Sequence, residues 1–292
     1  MSAAIEVKNL WKIYSDIHDR DIDVEDEELI EKIEKMDEPV IAVRDVSFEV
    51  KEGEVFVIMG LSGSGKSTLI RCLLRLLEPT SGEIQIDDYK VTDLNDDELI
   101  SFRRKEVAMV FQHYGLLPHR TVRENVEFGL KIRGEDKEHR KKRALEAIER
   151  VGLKGWENNH PSALSGGMRQ RVGIARALVM DTPILLMDEP FSGLDPLIRR
   201  EMQDELIRLQ EEMHKTIFFV THDLNEAIRL GDRIAIMKEG DIVQTGKIHE
   251  IVRKPADDYV RKFVQDVKRQ ITDDIDSNDN NNSQKKAITD VS

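Results

Sequence analysis

Eight consecutive residues, Gly60-Leu61-Ser62-Gly63-Ser64-Gly65-Lys66-Ser67, restrict what this chain can fold into more than any other feature. They match G-x-x-x-x-G-K-[ST] and stand between the apolar run Val55–Met59 and a helical stretch reaching to about Leu77. A short continuous apolar run reads as a strand buried on both faces. Glycines let the loop wrap so that successive N–H groups converge on phosphate oxygens, and the helix behind it adds the partial positive charge of its N-terminus. Lys66 brings a full charge to the β- and γ-phosphates of a nucleotide, and Ser67, followed by Thr68, a hydroxyl for Mg²⁺. Pattern and context agree on a strand–loop–helix cradle for nucleotide phosphates.

A second apolar run, Ile184–Met187, ends in the carboxylates Asp188 and Glu189. The carboxyl edge of such a strand faces the crevice in which α/β sheets bind ligands. Asp188 is the candidate holder of Mg²⁺, and Glu189 is set to polarise a water for attack on the γ-phosphate. Between the two motifs, Leu164-Ser165-Gly166-Gly167-Met168-Arg169-Gln170-Arg171 reads as a second phosphate-binding turn opening a helix.

The rest of the chain alternates short strands with helices, the pattern of an α/β sheet. Strands are expected at Ile5–Leu10, Val40–Val50, Glu83–Ile86, Val107–Phe111 and Thr216–Val220, and a hairpin at Arg233–Thr245 turning on Lys238-Glu239-Gly240-Asp241. Residues from His113 to about Val179 read as mostly helical. The net charge of −13 comes from 57 acidic and 44 basic residues among 292, but it is concentrated. Asp16–Glu38 alone carries a net −9 and the tail Asp273–Ser292 a net −3, so the body is nearly neutral. The balance argues against a chain held on nucleic acid by a basic footprint, and the acidity itself identifies no partner. In the acidic stretch Leu29, Ile30, Ile33 and Met36 recur at helical spacing, giving one amphipathic helix. One cysteine, Cys72, excludes an internal disulfide and fits a reducing compartment. No window approaches the ~20 apolar residues of a membrane span, and nothing near the start has the shape of a signal peptide.

With these residues in view, the sequence resembles the ATP-binding subunits of ABC transporters, whose signature is L-S-G-G-Q; Met168 replaces the glutamine here. The resemblance covers about Ile5 to Val267. It implies a P-loop NTPase (RecA-like) cassette with an antiparallel β subdomain and an inserted helical subdomain at about 113–179. The cassette would span 1–267, with an acidic insert at 16–38 and a polar, disordered tail at 268–292. It also implies roles for residues that spacing alone leaves open: Gln112 as the Q-loop residue near Mg²⁺ and the membrane partner, and Ser192-Gly193-Leu194-Asp195 as the D-loop at a dimer interface. His222 becomes the switch histidine of the γ-phosphate, and Tyr14 the aromatic stacked on adenine.

The narrower resemblance is to ATPase subunits of glycine betaine/proline (quaternary amine) importers. It rests on Phe56–Ser67, Leu164–Arg171 with Met168, Asp195–Arg199, Glu201–Leu206, Gly231–Met237 and the insert after Tyr14. What it implies is an ATPase bound to the cytoplasmic face of the inner membrane. Such a subunit dimerises on ATP and works with transmembrane permease subunits and, through them, a periplasmic or lipid-anchored substrate-binding protein. Ser165, Gly166 and Gly167 would then close on the partner's nucleotide. Many such relatives continue into paired CBS domains implicated in osmotic gating; the expectation here is a subunit without them. The alternatives are an importer ATPase for another amine or an amino acid, or a non-transport ABC ATPase.

Overall fold

The computed structural model describes residues 3–14, 22–34, 40–112 and 114–265. In chain order these form β1 (Ala3–Tyr14), α1 (Glu27–Glu34), β2 (Val40–Lys51), β3 (Val55–Met59), α2 (Lys66–Leu73), β4 (Ser81–Ile86), β5 (Tyr89–Lys90), α3 (Asp96–Lys105) and β6 (Val107–Val110). Then follow α4 (Val122–Val126), α5 (Phe128–Ile132), α6 (Lys137–Arg150), α7 (Gly166–Leu178), β7 (Ile184–Asp188), α8 (Pro196–Met213) and β8 (Thr216–Thr221). The chain continues with α9 (Leu224–Leu230), β9 (Arg233–Lys238), β10 (Asp241–Gly246), α10 (Ile248–Arg253) and α11 (Asp258–Phe263).

Two sheets organise these elements. A four-stranded antiparallel sheet runs β2-β1-β4-β5, and a six-stranded sheet runs β10-β9-β3-β8-β7-β6. In the larger sheet β9, β3, β8, β7 and β6 are mutually parallel, and only β10 is antiparallel to its neighbour. Every residue of β3, β7 and β8 is buried, as continuous apolar runs require when helices or a second sheet cover both faces. Alternation along β3 divides the core in two. Phe56 and Ile58 face a cluster shared with β1, β2, β4 and α2, whereas Val55, Val57 and Met59 face a cluster shared with α4–α9. Cys72 lies fully buried in the first of these as a small hydrophobe.

Two expectations are revised. The helix after the glycine loop stops at Leu73 rather than near Leu77. Arg75 turns left-handed (φ +47°), Leu76 N–H donates back to Arg71 O, and the Arg75 guanidinium takes the carbonyls of Val91 and Leu94. Strand β1 is one 12-residue strand, longer than Ile5–Leu10. Asn9 adopts φ +45° and the pairing with β2 shifts between Val7 and Leu10, which interrupts the period-2 pattern that marks a strand.

The acidic insert does form a helix, α1. Its Ile30 and Ile33, with Ile22, make a third small core against Ile13 of β1, with Trp11 and Ile41 at its edge. Met36, the segments 15–21 and 35–39, and the tail from 266 lie outside the described residues. Among the described residues no helix is long and apolar enough to cross a membrane.

Candidate active site

Strands β3, β8 and β7 lie side by side in matched register, Met59 opposite Thr221 and Asp188 opposite Val220. The residues that follow them, Gly60, His222 and Glu189, therefore leave the sheet at one edge. Gln112 joins from two residues beyond β6, whose Val110 pairs with Met187. This is the carboxyl edge of a parallel sheet, where α/β folds bind ligands.

The glycine loop is held there by close backbone packing. A Cβ on Gly60 would come within 2.2 Å of Met237 O, and one on Gly65 within 2.0 Å of Ala42 O. At Gly65 the backbone also has φ +101°, so a side chain is excluded twice over. Lys66, only 4% exposed, curls into its own loop and donates to Gly60 O (2.9 Å) and Leu61 O (2.8 Å). Burial pushes its ammonium pKa down, against the opposing pull of Glu189 and Asp188.

An open cleft of ≈ 270 Å³ lies over this loop. Ser62, Gly63, Gly65, Lys66, Ser67 and Thr68 form its floor, while Tyr14, Ala42, Gln112 and Glu189 complete its walls. Tyr14, 41% exposed, ends β1, and Lys12 Nζ lies 5.3 Å from its ring centroid, a cation–π contact that helps fix the ring. Ala42 was not legible as a cleft residue. It is a small residue in an alternating strand, and only the close approach of Gly65 to its carbonyl brings it there.

Beneath the cleft Ser67 Oγ donates to Asp188 Oδ1 (2.9 Å). Asp188 is fully buried, its Oδ2 has no hydrogen-bond partner, and burial raises its carboxyl pKa. A hydroxyl beside a carboxylate with a spare, buried oxygen is an oxygen donor set that fits a hard divalent cation such as Mg²⁺. Glu189 sits at φ +47°, a strained conformation for a residue that is not glycine, with its N–H donating to Val220 O. Its Oε2 accepts from Gln112 Nε2 (3.1 Å) and lies 3.1 Å from His222 Nδ1. Lys66, Ser67, Asp188, Glu189, Gln112 and His222, separated by up to 156 positions in sequence, thus form one constellation.

The Ser165–Gly167 turn is not part of it. Ser165 caps α7, accepting from Met168 N–H, and a Cβ on Gly167 would meet Gly193 O while one on Gly166 would meet the Tyr114 hydroxyl. Asp195 likewise caps α8 through Ile198 N–H and does not line the cleft. The turn therefore packs on the 192–195 segment and on Tyr114, a residue that no motif singled out.

A parallel sheet whose inner strand opens into a lysine-bearing glycine loop, facing paired carboxylates on the next strand but one, defines a P-loop nucleotide-binding protein. The profile of the ABC transporter family matches residues 43–192, and the chain belongs to that family. It is 58% identical over 229 residues to the glycine betaine/carnitine transport ATP-binding protein GbuA of Listeria monocytogenes, covering 78% of this chain and 58% of that protein. To the glycine betaine/proline betaine transport system ATP-binding protein ProV of Escherichia coli it is 50% identical over 272 residues, covering 91% of this chain and 67% of that one. The chain thus spans between about half and two thirds of the length of these relatives. Among solved structures, the ATP-binding cassette MJ0796, a dimer in a post-hydrolysis state bound to ADP and Pi, superposes with a TM-score of 0.73 at 38% identity. That match covers 84% of this chain and 98% of MJ0796.

Proposed function

We propose that this chain is the ATP-hydrolysing subunit of an ABC importer for a quaternary amine of the glycine betaine type. The observation that carries the catalytic part is the position of Glu189, whose Oε2 lies 3.1 Å from both Gln112 and His222 beside the Lys66 loop. In this reading residues 1–267 are the cassette, and ATP lies in the cleft with adenine on Tyr14 and its phosphates on the Ser62–Thr68 backbone. Lys66 turns from its own carbonyls to the β- and γ-phosphates, which offer it stronger acceptors. Glu189 accepts the proton of the attacking water, and His222 holds the γ-phosphate side of the site. Ser67, Asp188 and Gln112 would hold Mg²⁺, which when bound neutralises charge on the phosphates.

The signature turn needs a second copy. It lies outside the cleft formed by its own chain, and a twofold pair would bring each Ser165–Gly167 turn to the other's nucleotide. The dimeric state named for MJ0796 supports this arrangement. Transmembrane permease subunits, reached through the Gln112 segment, would carry the cargo, which this subunit never touches. The choice of a quaternary amine is supported by the relatives named for glycine betaine transport.

Phosphate release by this chain assembled with its permease subunits tests the reading. Glycine betaine is expected to stimulate turnover, and Glu189→Gln to lower it by roughly 10²–10⁴-fold while ATP still binds. Near-normal turnover in that variant removes Glu189 from its role, and indifference to glycine betaine overturns the cargo.

A further inference from the structure

A second cluster of charged groups lies behind the site, outside the residues assigned above. Glu226, in the first turn of α9, is 4% exposed; its Oε2 accepts from Thr221 Oγ1 (2.7 Å). The same hydroxyl accepts Asp223 N–H (3.0 Å), so both neighbours of His222 are bound into one knot. Arg199, one turn into α8, closes it from the other side. Its guanidinium donates to Asp223 Oδ2 (3.3 Å) and to Leu194 O (3.2 Å), and its Nε lies 3.9 Å from Glu226 Oε1. Leu194 ends the turn that starts at Glu189, where Glu189 O accepts from Ser192 N–H and Oγ and Phe191 O from Leu194 N–H.

The contacts therefore form a ring. It runs from Glu189 along its turn to Leu194, through Arg199 to Asp223 and Glu226, through Thr221 to His222, and back to Glu189 across the 3.1 Å contact. A half-buried arginine serving two carboxylates and a carbonyl is held in one geometry by its planar fork. It ties the 192–195 turn, on which the Ser165–Gly167 turn rests, to the strand end that carries the histidine.

We propose that Arg199 is a positioning residue: by bridging Leu194 to Asp223 and Glu226 it sets the orientation of His222 against Glu189. Movement of the 192–195 turn then reaches the histidine as displacement of a rigid link. This inference rests on the hydrolytic reading of Glu189 and His222 given above. Binding of ATP itself does not depend on the link, because the cleft floor and Tyr14 lie elsewhere.

Steady-state kinetics of Arg199→Ala and Arg199→Lys, with Arg200→Ala as an exposed neighbour control, test it. Arg199→Ala is expected to lower kcat about 10-fold or more with KM for ATP within about 2-fold, a loss realised after binding. Arg199→Lys is expected to recover part of it, and Arg200→Ala to lose nothing. The His222 imidazole resonances should shift in Arg199→Ala and not in Arg200→Ala. Unchanged kcat, a loss confined to KM, or unmoved His222 resonances overturns the proposal; the resonances are readable even if Arg199→Ala proves sluggish for other reasons. Glu189→Gln, assayed alongside, separates the two claims: full turnover there defeats the hydrolytic reading, whereas its loss together with an unaffected Arg199→Ala defeats only the link.

Discussion

Asp188 is fully buried, with one carboxylate oxygen taken by the Ser67 hydroxyl and the other without a partner. A buried, half-satisfied carboxylate is a stability cost that a bound cation would offset. Burial, the leading cause, raises its pKa above the ordinary carboxylate range. The folded protein thus binds this proton more tightly than the unfolded chain. The cost is present in full above the raised pKa and is relieved as pH falls toward the ordinary Asp value of about 4. Asp188→Asn should therefore raise the melting temperature of the nucleotide-free protein at neutral pH. A gain of about 1–2 kcal/mol corresponds to a few degrees. The advantage should shrink on acidification, and MgATP turnover should be lost. Thermal melts of both proteins between pH 7.5 and 4.5 check this; a destabilised variant, or a gap that widens in acid, contradicts it. At this scale the sequence was most legible where chemistry dictates residue type and spacing together, as at Lys66, Ser67 and the Asp188-Glu189 pair. Arg199 and Tyr114 were not legible. Each is an ordinary residue whose role lies in contacts made across long sequence separations.

The signature turn is an element whose structural and functional demands can be separated. Ser165 is the N-cap of α7, worth about 1 kcal/mol, and by proposal a ligand of the partner's nucleotide. Aspartate caps as well as serine but would set a negative charge against a triphosphate. Ser165→Asp should keep the melting temperature within about 2 °C, keep ATP binding by the monomer, and abolish ATP-dependent dimerisation. Calorimetry and size-exclusion chromatography measure both; an ATP dimer of this variant would contradict the trans role. Strands β3, β7 and β8 were legible because burial on both faces demands unbroken apolar runs, and the Lys238–Asp241 hairpin because its turn takes positive φ at Glu239 and Gly240. The end of α2 was not. An arginine at the left-handed position of a helix terminus carries no local mark, and here two distant carbonyls hold it.

Across the whole molecule, one chain supplies a cleft floor and the Glu189 carboxylate with its neighbours Gln112 and His222, and its second glycine turn lies outside that cleft. The alternation of strands and helices made the α/β class readable, and the glycine loop fixed which strand stands at the centre of the site. What spacing could not supply was the second sheet's place over one face of the first, since antiparallel pairing depends on contacts between distant segments. The acidic insert adds a small core of its own, Ile22, Ile30 and Ile33 against Ile13 of that sheet. Completion of the site by a twin is the claim on which the rest depends. Sedimentation velocity of Glu189→Gln, with nucleotide absorbance recorded in the same boundary, tests it most directly. The account predicts a monomer without nucleotide and, with MgATP, a dimer carrying two nucleotides. A species that saturates with ATP and stays monomeric at every protein concentration would contradict it.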